Sequence, residues 1–420
     1  MVENCGKSVF CEIIRVADEK RIHDMSGVLE GIRILDFSRY ASGPVATMIL
    51  ADMGAEVIRI EKPGGEDDRK LPPFSPRGTG LLFMNCSRHK KCITLNLRHK
   101  ESQGILEGLV KKADVVVHNF LPGTAQWKVL EYERLQDINP RIILAVVSGF
   151  GQDGPYSKRP GFDSVAQAMC GSMSISGFPG NPPTRAQSPW VDVLTASHCT
   201  MGIMLALYER VKSGKGQMVD VSLLDSAVFA SAIRSLITDY QLNGEEPEQI
   251  GNNSHYVAPG NLYKARDGWV MITAAVEPLW KRMVKEMGRS ELLEDQRFVD
   301  GQMRFKNREA LNGIIEDWTS RRTVDEILSV MERAHVPAGP VNTVAQVIND
   351  EQVKHRKMLV EIDCSDGNVL LSGLPIKLSR TPGKAEGPIS EVGEHNEEVY
   401  KDLLGLEERE ISRLKKRGII

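Results

Sequence analysis

Apolar positions along the chain follow two alternating periods. Gly31-Ile-Arg-Ile-Leu-Asp-Phe37 is a short apolar run of strand length. Pro44 to Met53 carries apolar residues at helical spacing, with Pro at its first position. Gly54 stops that helix, and Glu56-Val-Ile-Arg-Ile60 starts a second strand. A β-α-β unit of about 30 residues is the usual opening of a parallel sheet. The alternation continues with a strand over Ile93–Leu97, a helix over Glu101–Lys112 and strands over Asp114–Val117 and Arg141–Val147. Residues 148–190 are rich in Gly and Pro and hold one predicted helix, from about Ser164 to Met173. A long helix over Val193–Lys212 follows, then a strand over Met218–Val221 and a helix over Leu223–Tyr240.

The pattern changes after Asn243-Gly-Glu-Glu-Pro247, which reads as a linker. Asp267-Gly268 predicts a hairpin turn before the strand Trp269–Thr273, and helices are predicted near 278–287, 307–319 and 323–334. The element order therefore predicts an α/β protein with two domains. A large parallel-sheet domain takes residues 27–222, a linker helix and smaller α+β domain take 223–340, and 341–420 returns to mixed α/β pattern. Residues 1–26 precede the first patterned segment and stand apart as an N-terminal extension.

Composition narrows the classes of function. The 420 residues include 53 Lys and Arg against 56 Asp and Glu, a net charge of −3. That balance argues against a general nucleic-acid or anionic-membrane binder. The best apolar stretch, Val193 to Tyr208, is interrupted by Thr195, Ser197 and His198 and falls short of a bilayer span. Seven scattered cysteines without a C-x-x-C pair predict neither a disulfide framework nor a zinc site, and they fit the cytoplasm.

The first β-α turn, Asp36-Phe-Ser-Arg-Tyr-Ala-Ser-Gly-Pro44, lacks the G-x-G-x-x-G fingerprint. A helix beginning near Pro44 still offers N–H groups to a phosphate. Lys62, the run Arg88-His-Lys-Lys91 and Arg98 lie at predicted strand ends, where positive charge suits a nucleotide-like ligand, although scattered Lys and Arg are more often solvated surface. Asp163 follows Arg159-Pro-Gly-Phe, and Asp192 stands at the start of the long helix. Each is a candidate helix cap, nucleophile or proton-transfer group, and spacing alone does not choose among these.

Taken together, several segments resemble the class III CoA-transferase family, also called CaiB/BaiF and including formyl-CoA transferase-like enzymes. They are Leu35-Asp-Phe-Ser-Arg-Tyr-Ala-Ser-Gly-Pro44, Gly54-Ala-Glu-Val-Ile-Arg-Ile-Glu-Lys-Pro63, Ala113-Asp-Val-Val-Val-His-Asn-Phe-Leu-Pro-Gly123, Gly149-Phe-Gly-Gln-Asp-Gly-Pro155, Arg159-Pro-Gly-Phe-Asp163, Gly214-Lys-Gly-Gln217 and Pro337-Ala-Gly-Pro-Val-Asn342. The resemblance runs from about Gly27 to the C-terminus. It implies a Rossmann-like large domain built from both chain ends and an interlocked, ring-like homodimer. It further implies a coenzyme A thioester as substrate, with a free carboxylic acid as the second substrate and no prosthetic group.

By the same resemblance Asp192 is the nucleophile, and Asp163, Gly251 and Asn252 are secondary active-site candidates, the last two in a loop that covers the site. CoA contacts are implied for Arg39, Tyr40, Ala41, Lys62, Leu95, Arg98, Asn119, Phe120 and Lys128. Gly177–Trp190 and Tyr256–Tyr263 would line the acyl pocket, with Arg185 toward a substrate carboxylate and succinyl-CoA the favoured donor. Two rival readings stand beside this one. An α-methylacyl-CoA racemase would use Asp163 in a His/Asp pair, but no histidine lies between Asn119 and Ser197, and His118 reads as strand-end structure. A non-catalytic CoA-binding protein would use Asp192 only as a helix-start residue.

Overall fold

The computed structural model describes residues 27–233, 235–364 and 367–420; the expected extension over residues 1–26 lies outside them. The described chain divides into two compact units. One takes the chain up to Ala166 together with Ser188–Ala227 and Gln352–Ile420. The other takes Gln167–Gln187 and Val228–Glu351, so residues 167–187, read above with the large domain, cluster with the smaller unit.

The first unit is built on six strands: β1 (Arg33–Asp36), β2 (Glu56–Glu61), β3 (Lys90–Thr94), β4 (Val115–His118), β5 (Ile143–Ser148) and β6 (Met218–Ser222). Their order in the sheet is β3-β2-β1-β4-β5-β6, and every pairing is parallel. Leu35 of β1 sits opposite Ile58 of β2 on one side and Val116 of β4 on the other. Side chains alternate between faces as a pleat requires. Ile34, Val57, Val115 and Val117 enter one core, whereas Leu35, Ile58, Ile60 and Val116 enter the other. Both faces are therefore buried, which accounts for the continuous apolar runs.

Helices cover the two faces. Helix α1 (Ser42–Asp52) packs its Ala46 and Leu50 into the first core, and α2 (Ser102–Lys111) packs Ile105, Leu106 and Leu109 into the second. The long helix α3 (Trp190–Ser213) lays Ala196, Cys199, Ile203 and Ala206 on the first core and ends at Gly214, whose φ of 73° is left-handed. The C-terminal helix Glu408–Lys416 and the last residues return to the second core through Ile411, Leu414, Ile419 and Ile420.

Several boundaries differ from expectation for definable reasons. Helix α1 begins two residues before Pro44, which is tolerated because first-turn N–H groups have no partner within the helix. The helix expected near 164–173 is two short ones, Asp163–Met169 and Ser172–Ile175, broken at Gly171 with φ 83°. The helix expected over 223–240 breaks likewise into Leu223–Ile233 and Leu236–Asn243 around Ser235, whose φ is 66°. Strand β3 starts at Lys90 rather than Ile93, inside the basic run that was read as surface. Lys90 is fully buried, and its Nζ bonds Asp36 at 3.0 Å, Thr47 Oγ1 at 2.8 Å and the Pro44 carbonyl at 2.8 Å. Arg88, also buried, is tied to Asp52 at 2.6 Å. These two cations are structural and are not available to a phosphate.

A further correction concerns α3. At 24 residues it is long and apolar enough by length and composition to cross a membrane, contrary to the shorter segment read from sequence. Core packing on one face accounts for part of that apolarity. Its other face leaves Val193, Met201, Met204, Leu205, Tyr208 and Val211 exposed.

The second unit holds an antiparallel sheet in the order β7-β8-β9, from Gly260–Lys264, Trp269–Thr273 and Ala338–Pro340. Helices Glu277–Glu286, Arg308–Thr319 and Val324–Arg333 pack on it around Trp280, Met283, Leu311, Ile315 and Ile327.

Candidate active site

The strand order of the first unit reverses between β1 and β4, and the crevice at the carboxyl ends of such strands is where open α/β sheets bind ligands. The turn after β1 carries Arg39, Tyr40 and Ala41 and leads into Ser42 at the start of α1; the turn after β4 carries Asn119 and Phe120; β5 ends in Ser148 and is followed by Gly149. These residues, with Arg159, Gly161, Phe162 and Asp192, line a cavity of about 200 Å³. Two glycines make its wall possible. A Cβ on Gly149 would sit 3.0 Å from Gly161 Cα, and one on Gly161 would sit 2.9 Å from Gly149 Cα.

Asp192 lies in the first turn of α3, half-buried. Ser42 Oγ donates a hydrogen bond to its Oδ1. Burial pushes the Asp192 carboxyl above the ordinary carboxylate value; the Ser42 hydroxyl opposes the rise, and the nearby Asp163 charge adds to it. Asp163 has a defined structural task. Its Oδ2 accepts the backbone N–H of Val191 at 2.9 Å and of Asp192 at 3.2 Å, so it caps the helix that presents Asp192. The residues lining this cavity include no histidine. His118 is fully buried, accepts the Phe120 N–H at Nδ1, and is pushed down to about 3 by burial, so it stays neutral.

The turn between β1 and α1 is held from outside itself. Tyr40 adopts a left-handed φ of 71°, and its N–H donates to Asp68 Oδ2 at 3.0 Å. Asn119 grips Arg39 on both sides, accepting its N–H at 3.1 Å and donating to its carbonyl at 2.7 Å. Asp68 in turn receives Arg59 Nη2 at 2.9 and 2.8 Å, and Arg59 Nε reaches Glu61 at 2.6 Å. Arg69 closes the chain on Glu61 at 2.8 Å. Arg59, Glu61, Asp68 and Arg69 are all buried, so their mutual pairing is what makes that burial tolerable.

A second cavity of about 490 Å³ lies against the same turn. It is lined by Arg39, Lys62, Leu95, Arg98 and Phe120, all expected CoA contacts, and also by Gln126 and Gly418. Arg39 and Phe120 border both cavities, with the Arg39 guanidinium 5.0 Å from the centre of the Phe120 ring. Lys128, on the short helix Ala125–Val129, is exposed and lines neither. Of the sequence candidates, the structure thus brings Arg39, Tyr40, Ala41, Asn119, Phe120 and Asp192 to one cavity, and Lys62, Leu95 and Arg98 to its neighbour.

Gly251 and Asn252 belong to the second unit. Gly251 has a φ of 64° and donates its N–H to the Gly177 carbonyl at 2.8 Å, and a Cβ there would stand 2.8 Å from the Phe178 ring. Asn252 is exposed. Arg185, in the same unit, is exposed and bonds Gln187 at 3.3 Å.

Residues 29–396 match the family model described as CoA-transferase family III. The chain belongs to CoA-transferase family III. It is 36% identical over 395 residues to a succinyl-CoA–D-citramalate CoA-transferase of Chloroflexus aurantiacus, covering 93% of this chain and 98% of that one. It is 36% identical over 364 residues to an acetyl-CoA:oxalate CoA-transferase of Acetobacter aceti, covering 86% and 92%. Among solved structures, a CaiB/BaiF family protein from Brucella suis superposes with a TM-score of 0.79 at 32% identity, covering 90% of this chain and 100% of that one. The enzyme is a class III CoA-transferase, and the racemase and non-catalytic readings give way to it.

Sequence reading missed Ser42, Arg159, Phe162 and Gln126 as cavity residues. Ser42, Arg159 and Phe162 lie inside segments quoted above, but nothing in their residue type singled them out there; Gln126 lies in no such segment, and only the fold aims these side chains.

Proposed function

We propose that this CoA-transferase uses Asp192 as a covalent nucleophile and takes a dicarboxylic acid on at least one side of its reaction, with succinyl-CoA as donor. The observation that carries the reading is the Asp192 carboxylate itself, half-buried at a helix start and facing the cavity beside the crevice turn. A carboxylate oxygen attacks the thioester carbonyl, a C–O bond forms, the C–S bond breaks and CoA thiolate leaves. The thiolate then attacks Cγ of Asp192 in the resulting anhydride, forming aspartyl-CoA and releasing the donor acid. The acceptor carboxylate attacks Cγ in its turn and expels the thiolate. A final attack by that thiolate on the acceptor's carbonyl yields the new thioester and frees Asp192.

The neighbouring cavity suits the phosphate end of CoA, because Arg39, Lys62 and Arg98 border it, while Phe120 borders both spaces along which the pantetheine arm would run. The Arg159 guanidinium borders the Asp192 cavity and stacks on Tyr156 at 3.9 Å. It is the cation suited to the distal carboxylate of a dicarboxylic substrate, a class that both named relatives handle. A homodimer fits the exposed apolar face of α3, where Val193, Met201, Met204, Leu205, Tyr208 and Val211 lie together, and the scattered cysteines suit a reducing cytoplasm.

The test is intact-mass measurement after brief mixing with succinyl-CoA, acetyl-CoA and a branched acyl-CoA. The expected product is a CoA adduct on the Asp192 peptide, absent in Asp192→Asn. Arg159→Ala should raise the KM for dicarboxylic substrates roughly 10–100-fold, the scale of one charge-assisted contact. No adduct from any donor would refute the covalent reading.

A further inference from the structure

We infer that Ser42 is a further catalytic residue: its hydroxyl orients the Asp192 carboxylate and then donates to the oxyanion that develops on that same oxygen when Cγ is attacked. The inference rests on Asp192 being the nucleophile.

The geometry is specific. Ser42 is the first residue of α1 and is 6% exposed. Serine near a helix start ordinarily caps the helix, yet here the cap position is Ala41 and no side chain caps the turn. The Ser42 hydroxyl instead reaches a carboxylate 150 positions away, Oδ1 of Asp192. Among the described residues Oδ2 accepts no hydrogen bond, so the two oxygens of the nucleophile are distinguished. One is held by a donor on the helix and the other is left to attack.

The consequence differs between steps. In the first, Oδ2 bonds to the thioester carbon, negative charge develops on the substrate's own oxygen, and Ser42 contributes orientation only. In the next, CoA thiolate attacks Cγ. The C–S bond forms, the charge of the thiolate passes to Oδ1, and the C–O bond to the donor acyl group then breaks, releasing its carboxylate. The Ser42 O–H donates to Oδ1 throughout and transfers no proton. Attack by the acceptor carboxylate on aspartyl-CoA puts the charge on the same oxygen. Ser42 is therefore placed to accelerate both formation and discharge of the aspartyl-CoA, because a donor fixed in advance needs no reorganisation as charge develops.

Rapid-quench intact mass with succinyl-CoA, followed by a dicarboxylic acceptor, compares the full-length wild type with Ser42→Ala and Ser42→Thr. Ser42→Ala should slow both formation and discharge of the adduct at least about tenfold, at the modest end of what one oxyanion donor supplies. CoA affinity by calorimetry should stay within about twofold, and Ser42→Thr, which keeps the hydroxyl, should restore most of the rate. Adduct kinetics in Ser42→Ala like those of the wild type would overturn the inference while leaving Asp192 as nucleophile. A slow Ser42→Ala that Thr does not rescue, or that has lost CoA affinity, would overturn it as well by assigning Ser42 to packing. A wild type that forms no adduct would instead remove the reading of Asp192 on which it stands.

Discussion

Cutting away the Asp68 carboxylate removes a support of the turn between β1 and α1. In Asp68→Ala, Arg59 remains buried and keeps Glu61 at 2.6 Å, but its Nη2 loses both acceptor contacts. Breaking a buried ion pair from one side costs about 3–5 kcal/mol, and the surviving Glu61 contact puts this case near 3 kcal/mol. The Tyr40 N–H loses its 3.0 Å acceptor, which adds about 1 kcal/mol. The expected loss is about 4 kcal/mol, roughly a thousandfold in the local unfolding equilibrium. Asp68→Asn separates the two contributions, because its amide oxygen still accepts from Tyr40 while the charge is gone. Native-state hydrogen exchange of peptides from β1 and β2 reads the stability, and a CoA binding isotherm reads the turn. Asp68→Ala should weaken CoA binding more than Asp68→Asn does, since a left-handed Tyr40 relaxes once nothing holds its amide. A loss of under about 1 kcal/mol in Asp68→Ala, with unchanged CoA affinity, would refute the idea that the network holds the turn.

Two further perturbations address the site directly. Asp163→Asn keeps an oxygen to cap α3 but removes a negative charge that helps raise the Asp192 carboxyl; the ionised nucleophile then persists to lower pH, so the acid limb of the kcat/KM profile should move down. A limb that stays fixed or moves up would contradict that coupling. Arg98→Ala should weaken CoA binding about 10–100-fold and flatten its salt dependence, whereas Lys128→Ala, outside both cavities, should leave the isotherm within about twofold.

The alternation of strand and helix was legible because both faces of the sheet are covered, so apolar period and element length reported the fold directly. Residues 33–61 show this best: β1, α1 and β2 fall within two residues of expectation. Charged positions were not legible in the same way. Arg88-His-Lys-Lys91 reads identically whether solvated or buried, and what decides is Asp36 and Asp52, distant in sequence and supplied by β1 and α1. Ser42 stands in a quoted segment, but its contact was not legible for a similar reason, since its partner lies on another helix. Asp192 was reached through family resemblance, its residue type and spacing alone having favoured a helix cap. The structure adds that Asp163 performs that capping.

The charges around the crevice fall into two classes with different work. Arg59, Glu61, Asp68, Arg69, Asp36 and Lys90 satisfy one another in the interior, so the turn between β1 and α1 is shaped by the fold itself. The cations of the second cavity are paired more loosely. Lys62 meets Asp67 at 2.6 Å with its side chain half exposed, and Arg39 stands 3.5 Å from Glu66. The exposed Lys62–Asp67 pair is worth about 0–1 kcal/mol, so an anion competing for Lys62 displaces that carboxylate at little cost, whereas the Arg39–Glu66 pair is half-buried. Glu66 and Asp67 moderate the positive field of this cavity through those pairs. On the proposed assignment of this cavity to the phosphate end of CoA, a ligand with several phosphate oxygens would engage Arg39, Lys62 and Arg98 together, so charge multiplicity would favour it over an anion that makes one contact.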